Sequence, residues 1–113
     1  MGTADDKGKV NMAVYAKPHF MEDGAIAFIM AERLTHQNLQ FNNHAAYLFI
    51  EEGSKSRGKR LLLTKLHEEK DSDLLYALRS KKFSSEKEEG KNRFLVFFRI
   101  DKVLPLIGAG KEF

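Results

Sequence analysis

Two apolar segments joined by a polar corner constrain the fold more than any other part of the sequence. Residues 25–31 (AIAFIMA) and 45–50 (AAYLFI) carry apolar side chains at consecutive positions over the length of a strand, which is typical of strands buried on both faces. Between them lies the polar stretch 32–38, which leads into a short helical pattern. Polar groups are therefore placed in the bend between two buried strands, and we expect the functional site at this corner.

The corner also has the sequence of a helix start. Thr35 is a suitable N-cap, and Leu34 and Leu39 are spaced to form a hydrophobic staple. Free N–H groups at a helix start favour an anion such as a phosphate, and Arg33 adds a positive charge directly before it. Helix starts are common and anion sites are few, so an ordinary capped helix with a surface arginine is the alternative interpretation.

A strand is predicted over residues 9–16, where apolar and semi-polar positions alternate. One face carries Val10, Met12 and Val14, and the other carries Asn11, Ala13 and Tyr15. The second face leaves room for a flat ligand, although a solvent-facing side is the interpretation that the pattern favours. Residues 1–8 are expected to be a loop or turn, and residues 10–31 resemble an antiparallel strand pair.

The remaining elements complete a mainly β pattern. Further strands are predicted over residues 45–51, 59–66 and 93–101, an extended edge segment over 103–107, and a helix over 68–82. The connections are hairpin-like, so five or six strands and two helices favour a closed or nearly closed antiparallel barrel without free sheet edges. We expect a single domain over residues 1–113, with a mobile loop at 84–91 and a loose tail at 108–113.

Composition excludes several classes of function. The 113 residues contain no cysteine, which excludes disulfides, thiol nucleophiles and iron–sulfur clusters. The four histidines lack the spacing of metal ligands, so no metal site is predicted. The net charge of +3 is spread along the chain rather than clustered, and no apolar run approaches the length of a membrane span. These features, with a polar N-terminus, predict a cytoplasmic protein without nucleic-acid or membrane partners.

No catalytic set stands out in the sequence. There is no nucleophile elbow and no glycine-rich phosphate loop after a strand. A cofactor that brings its own reactivity fits such a chain better, since the protein then supplies only the pocket and its electrostatics.

The order of these segments resembles the pyridoxamine 5′-phosphate oxidase-like FMN-binding split-barrel family. The resemblance covers about residues 3–108, and its most specific part is FIMAER followed by THQNLQFNNHAAYLF. Family members have there a strand, a ligand-contacting corner, a short helix with Asn-Leu, and an Asn-Pro-type turn before the next strand. Here His44 replaces that proline.

The resemblance implies a six-stranded Greek-key split barrel with about two peripheral helices. Relatives carry a helix and an apolar strand before the segment that matches residues 3–5, so either this barrel has an unpaired edge or the chain begins further upstream. The resemblance also implies a homodimer that holds two FMN molecules in clefts between the subunits. The flavin ring would lie near Asn11, Ala13, Tyr15, Met30 and Ala31, and the phosphate or ribityl chain near Arg33, Thr35, Gln37 and Asn38.

Two departures from the family pattern bear on activity. The oxidases carry an adjacent Arg-Lys pair where this chain has Leu34 and Thr35, so the phosphate contact shifts to Arg33, His36 or another group. They also end in an arginine-rich segment, whereas this chain ends in GAGKEF. A flavin-dependent oxidoreductase of unknown substrate is therefore expected, rather than pyridoxamine 5′-phosphate oxidase itself.

Two alternatives stay open. The first is a non-enzymatic dimeric module that binds flavin or haem, with His36 and His44 as candidate axial ligands. The second is RNA binding by the basic surface, which the sequence disfavours because Phe94, Phe97 and Phe98 lie in a strand expected to be buried.

Overall fold

A single antiparallel sheet organises the part of the chain that the structure, a computed structural model, describes, namely residues 1–79 and 92–108. The elements are β1 (Gly2–Ala4), β2 (Val10–Met12), β3 (His19–Phe20), β4 (Ile26–Ala31), α1 (Leu34–Phe41), β5 (His44–Ile50), β6 (Gly58–Lys70), α2 (Asp73–Leu78) and β7 (Arg93–Pro105). The strand order is β2-β1-β5-β6-β7-β4-β3. The predicted mainly β class with two helices is confirmed, whereas residues 84–91 and 109–113 lie outside the described residues.

The centre of the sheet is the long hairpin-like pair of β6 and β7. The two strands pair from Lys59 opposite Pro105 to Lys70 opposite Phe94, with register irregularities after Leu62 and after Lys65. Such irregularities increase the bend and twist of a strand pair. They help the sheet to curl around its inner face, as a split barrel requires.

The curled sheet has two apolar cores. The inner core includes Phe28, Met30, Leu39, Tyr47, Leu63 and Phe98. The outer core lies under α2 and consists of Ala27, Leu75, Leu95 and Phe97. Strands β4 and β7 contribute to both cores, which explains their consecutive apolar residues and confirms the prediction that residues 25–31 are buried on both faces.

Strand β5 does not follow that prediction. Ala45 and Tyr47 point into the inner core, but Ala46, Leu48 and Ile50 are exposed. The prediction of burial on both faces is therefore wrong for β5, because no element of the described chain covers its outer face.

The N-terminal segment is more regular than the sequence indicated. Residues 2–4 form strand β1 where a loop was expected, and Thr3 pairs with both Asn11 of β2 and Ala45 of β5. The predicted strand over residues 9–16 is shortened to β2, which pairs with β1 and not with β4. A tight turn at Asp5, whose carboxylate accepts from the backbone of Lys7 and Lys9, joins the two short strands.

The C-terminal half corrects two further predictions. Residues 68–70 continue β6 opposite β7, so α2 begins at Asp73, with the Ser72 hydroxyl accepting from the Leu75 N–H as its cap. Residues 103–105 continue β7 opposite β6 and are not an edge segment. Among the described residues, no helix has the length and apolar character needed to cross a membrane.

Candidate functional site

A cavity of about 360 Å³, called here the corner cavity, lies where the segment after β2 meets the end of β4 and the start of α1. Its lining consists of Asn11, Ala13, Val14, Tyr15, Ala31, Arg33, Leu34 and Thr35. The structure thus brings together six of the nine residues predicted to bind a cofactor, namely Asn11, Ala13, Tyr15, Ala31, Arg33 and Thr35.

The corner itself is a short turn from strand to helix. Strand β4 ends at Ala31, whose carbonyl accepts from the Arg33 N–H at 2.9 Å, and α1 begins at Leu34. Arg33 is the N-cap residue, in extended backbone geometry, and Gln37 makes a helical hydrogen bond back to it. The predicted Thr35 cap is wrong, because Thr35 already lies inside the first turn.

The predicted hydrophobic staple is also wrong. Leu39 is fully buried in the inner core, but Leu34 is 56% exposed and lies at the mouth of the corner cavity. The helix is oriented by Leu39 and by the buried residues Thr35, His36 and Asn38 instead.

The segment after β2 places its semi-polar side chains toward the protein. Asn11, Ala13 and Tyr15 are half-buried, whereas Val14 is 99% exposed although it borders the cavity. The interpretation that Asn11, Ala13 and Tyr15 form a solvent-facing side is therefore wrong. Beyond β2, this segment is held by contacts with Met1 and Tyr47. The Ala13 N–H donates to the Met1 carbonyl at 2.9 Å, and the Tyr47 hydroxyl of β5 donates to the Tyr15 carbonyl at 3.1 Å.

Hydrogen bonds join the two sides of the cavity. Asn11 Nδ2 donates to Thr35 Oγ1 at 3.2 Å and so connects β2 with α1. Burial raises the pKa of the Tyr15 hydroxyl above its ordinary value, and the neighbouring Thr35 hydroxyl and Arg33 charge oppose this shift only in part. Tyr15 is therefore a neutral hydrogen-bonding group at neutral pH.

The start of α1 gives the cavity a positive end. The first N–H groups of a helix have no partner within the helix, and no side chain of the described residues caps those of α1. The first turn contains no acidic residue, and no ion pair joins Arg33 to another described side chain. An anionic group fits this end, and the small side chains of Ala13 and Ala31 leave space for a flat group beside it.

Three predicted residues do not line the cavity. Met30 is buried in the inner core, because it alternates with Ala31 along β4. Asn38 is buried and its Nδ2 donates to Thr3 Oγ1 at 3.0 Å, which ties α1 to β1. Gln37 is exposed on the opposite side of the helix. The sequence missed Val14 and Leu34 as lining residues, although both adjoin predicted positions.

A larger depression, called here the apolar groove, lies beside the corner cavity. Its volume is about 610 Å³, and it is bounded by the N-terminal segment, β2 and the outer faces of β5 and β6. Exposed apolar side chains dominate its lining, among them Val10, Met12, Leu48 and Leu62. Asn11 lines both the groove and the corner cavity.

The structure also bears on the other predicted sites. His36 is buried, bonded through Nε2 to Glu68 and stacked on Phe94, whereas His44 is exposed and lines the apolar groove. The described residues contain no group of three or more His, Asp or Glu side chains that could hold a metal ion. Phe94, Phe97 and Phe98 are buried, so β7 does not present them as a stacking platform for RNA.

Comparison with known proteins identifies the fold. No family model and no curated protein matches the chain. Among solved structures, the chain is similar to an FMN-binding protein from Syntrophomonas wolfei subsp. wolfei, with a TM-score of 0.72 and 19% sequence identity over 96% of this chain and 76% of that one. A likeness at this identity shows a shared fold, so the chain has the split-barrel-like fold of that FMN-binding protein.

Proposed function

We propose that the protein binds FMN in the corner cavity and acts as a flavin-dependent oxidoreductase of the pyridoxamine 5′-phosphate oxidase-like family. The observation that carries the proposal is the cavity itself, where Arg33, an uncapped helix start and a flat lining of small side chains occur together. Its volume lies within the range of about 300–1,000 Å³ that is usual for ligand pockets. The fold shared with an FMN-binding protein supports the same cofactor.

The phosphate of FMN belongs at the positive end of the cavity. The Arg33 guanidinium can bond two phosphate oxygens, and the free N–H groups of α1 can bond others. Thr35 Oγ1 accepts from Asn11 Nδ2, so Thr35 holds the Asn11 amide against the wall of the cavity. Tyr15, Ala13 and Ala31 would contact the flavin ring, while bound FMN itself supplies the electron-accepting chemistry.

The substrate is a separate question from the cofactor. The Leu34–Thr35 sequence stands where the oxidases carry Arg-Lys, and Leu34 contributes an exposed apolar side chain in place of a charge. We therefore expect a substrate other than pyridoxamine 5′-phosphate.

Titration with FMN tests the proposal. Purified protein is expected to be yellow or to quench the fluorescence of added FMN. Arg33→Ala should weaken FMN binding about tenfold or more, as loss of a charge-assisted hydrogen bond implies. Arg57→Ala is the matched control, since Arg57 is exposed on the β5–β6 connection and pairs only loosely with Glu51, at 3.4 Å. A colourless wild-type protein that shows no binding in the FMN titration would refute the proposal.

We also propose that the protein works as a homodimer in which the second copy covers the apolar groove. Val10, Met12, Leu48 and Leu62 form an exposed apolar surface of the kind that marks interaction sites. Because Asn11 borders both groove and corner cavity, a copy seated in the groove would lie next to the cofactor. Sedimentation of wild type against Leu48→Glu tests this: we expect a dimer that the glutamate converts to a monomer, and a monomeric wild type would contradict it.

Haem binding in the apolar groove is a second candidate function. The observation that favours it is His44, an exposed potential axial ligand in an apolar lining. His36 is not suited to that role, because its Nε2 is already bonded to Glu68. Titration of wild type and His44→Ala with haem, and separately with FMN, distinguishes the two candidates. If the groove binds haem through His44, the variant loses the absorbance band of bound haem, while its affinity for FMN stays that of wild type.

A further inference from the structure

A compact polar cluster joins α1 to β6. Glu68 of β6 lies at its centre, and its Oε1 accepts from Lys65 Nζ at 2.8 Å and from Gln40 Nε2 at 3.1 Å. His36 Nε2 lies 3.0 Å from Glu68 Oε2 and donates to the carboxylate. One carboxylate thus holds two successive turns of α1, at His36 and at Gln40.

The cluster is largely shielded from water. The side chains of His36, Lys65 and Glu68 are 9%, 11% and 22% exposed. The His36 ring also stacks on Phe94 of β7, with ring centroids 3.7 Å apart and an interplanar angle of 17°. Lys65 Nζ reaches the Leu39 carbonyl at 3.5 Å, so the cluster holds the end of α1 as well as its start.

Helix α1 depends on such contacts for its position. Its eight residues are too few for a helix that is stable on its own. Its apolar anchor is Leu39, in its second turn, and Asn38 ties it to Thr3. Near its start, the bond from His36 to Glu68 holds the helix against β6, one residue beyond Thr35 in the corner cavity.

We propose that Glu68 is a positioning residue for the phosphate end of the cofactor. It does not line the corner cavity, but it fixes the first turn of α1 through His36 and thereby aims the free N–H groups and Thr35 into the cavity. The inference rests on the proposed function and extends it to a residue outside the cavity. Removing the Glu68 charge loosens the helix start, so contacts to the phosphate are weakened and contacts to the flavin ring are not.

The test compares FMN with riboflavin, which has the same ring and no phosphate. In Glu68→Gln we expect FMN affinity to fall about tenfold, the size of one charge-assisted contact, while riboflavin affinity stays at the wild-type value. Glu69→Gln is the matched control, because Glu69 is the neighbouring acid in β6 and is outside the cluster. Glu68→Asp, which keeps the charge, should recover part of the FMN affinity.

The outcomes separate this inference from the proposed function. If the affinities of Glu68→Gln for FMN and riboflavin fall equally, or if neither falls, Glu68 has no positioning role, and the proposal that the protein binds FMN still stands. A wild type that binds neither flavin overturns both. If Glu68→Gln does not fold, Gln40→Ala takes its place: it removes one donor from an exposed side chain, and the same selective loss of FMN affinity, smaller in size, is expected.

Discussion

Glu68 gives the protein a pH-dependent stability whose direction follows from its contacts. Burial raises the pKa of this carboxyl, but hydrogen bonds from Lys65, Gln40 and His36 outweigh burial and lower the pKa from 4.5 to about 2. A carboxyl whose pKa is lower in the folded protein stabilises the fold when it is ionised. The stabilisation is therefore complete above about pH 4.5 and is lost as the pH falls toward about 2.

The magnitude follows from the same shift. Each pKa unit corresponds to about 1.4 kcal/mol, so a fall from 4.5 to about 2 corresponds to at most about 3 kcal/mol of unfolding free energy. The Glu68 side chain is 22% exposed, and screening by solvent reduces the expected contribution to about 1–3 kcal/mol. This is a substantial part of the total stability of a small domain.

Urea denaturation of wild type and Glu68→Gln, from about pH 7 down to about pH 2.5, measures the contribution. Glutamine does not titrate, so the difference in unfolding free energy between the two proteins isolates Glu68. Across this range we expect the unfolding free energy of wild type to fall by about 1–3 kcal/mol relative to that of Glu68→Gln. Relative to the control Glu69→Gln, the fall should be smaller. If the difference in unfolding free energy between wild type and Glu68→Gln stays constant with pH, the ionised Glu68 carboxylate does not stabilise the fold through this cluster.

Two further predictions concern the packing of the sheet. Phe28 is buried against Tyr47 and other aromatic rings of the inner core, so Phe28→Ala should lower the unfolding free energy, measured by urea denaturation, by about 3–5 kcal/mol. Phe20 is exposed, so Phe20→Ala should change it by less than about 0.5 kcal/mol. A Cβ added at Gly58 would overlap the Phe49 carbonyl oxygen, so Gly58→Ala should lower the melting temperature by several degrees, while an equal melting temperature would show that the β5–β6 pair can shift to accept it.

The sequence predicted those parts of the fold in which local pattern and final environment agree. Residues 26–31 and 94–98 are apolar at successive positions because both faces of β4 and β7 are buried there, and this signal is visible without a structure. Strands β1 and β3 have only three and two residues, too short to carry a periodic pattern. They exist because longer neighbours pair with them.

The misplaced start of α2 has a similar cause. Glu68 and Glu69 fit the acidic first turn of a helix, but pairing opposite Val96 and Leu95 of β7 keeps them in a strand. Strand preference depends on such cross-strand neighbours more than on the residue itself, so a local reading could not find the boundary at Ser72.

The candidate site was predictable where it is local to the corner. Arg33 and Thr35 lie beside the end of β4 in the sequence and also in space. Whether Gln37 or Asn38 faces the cavity depends on the rotation of α1, which is set by the burial of Leu39 and so by distant strands. The place of Tyr15 depends likewise on the hydroxyl of Tyr47, thirty-two positions along the chain.

Asn11 lies in the wall between the two depressions, so the proposed dimer and the proposed cofactor would be thermodynamically coupled if both contact it. If a second copy favours one orientation of this amide and the cofactor favours the same one, each strengthens the other by an identical factor. Protein concentration would then act as an effector: dilute samples would hold their cofactor more weakly than concentrated ones, with no change in any contact to the cofactor itself.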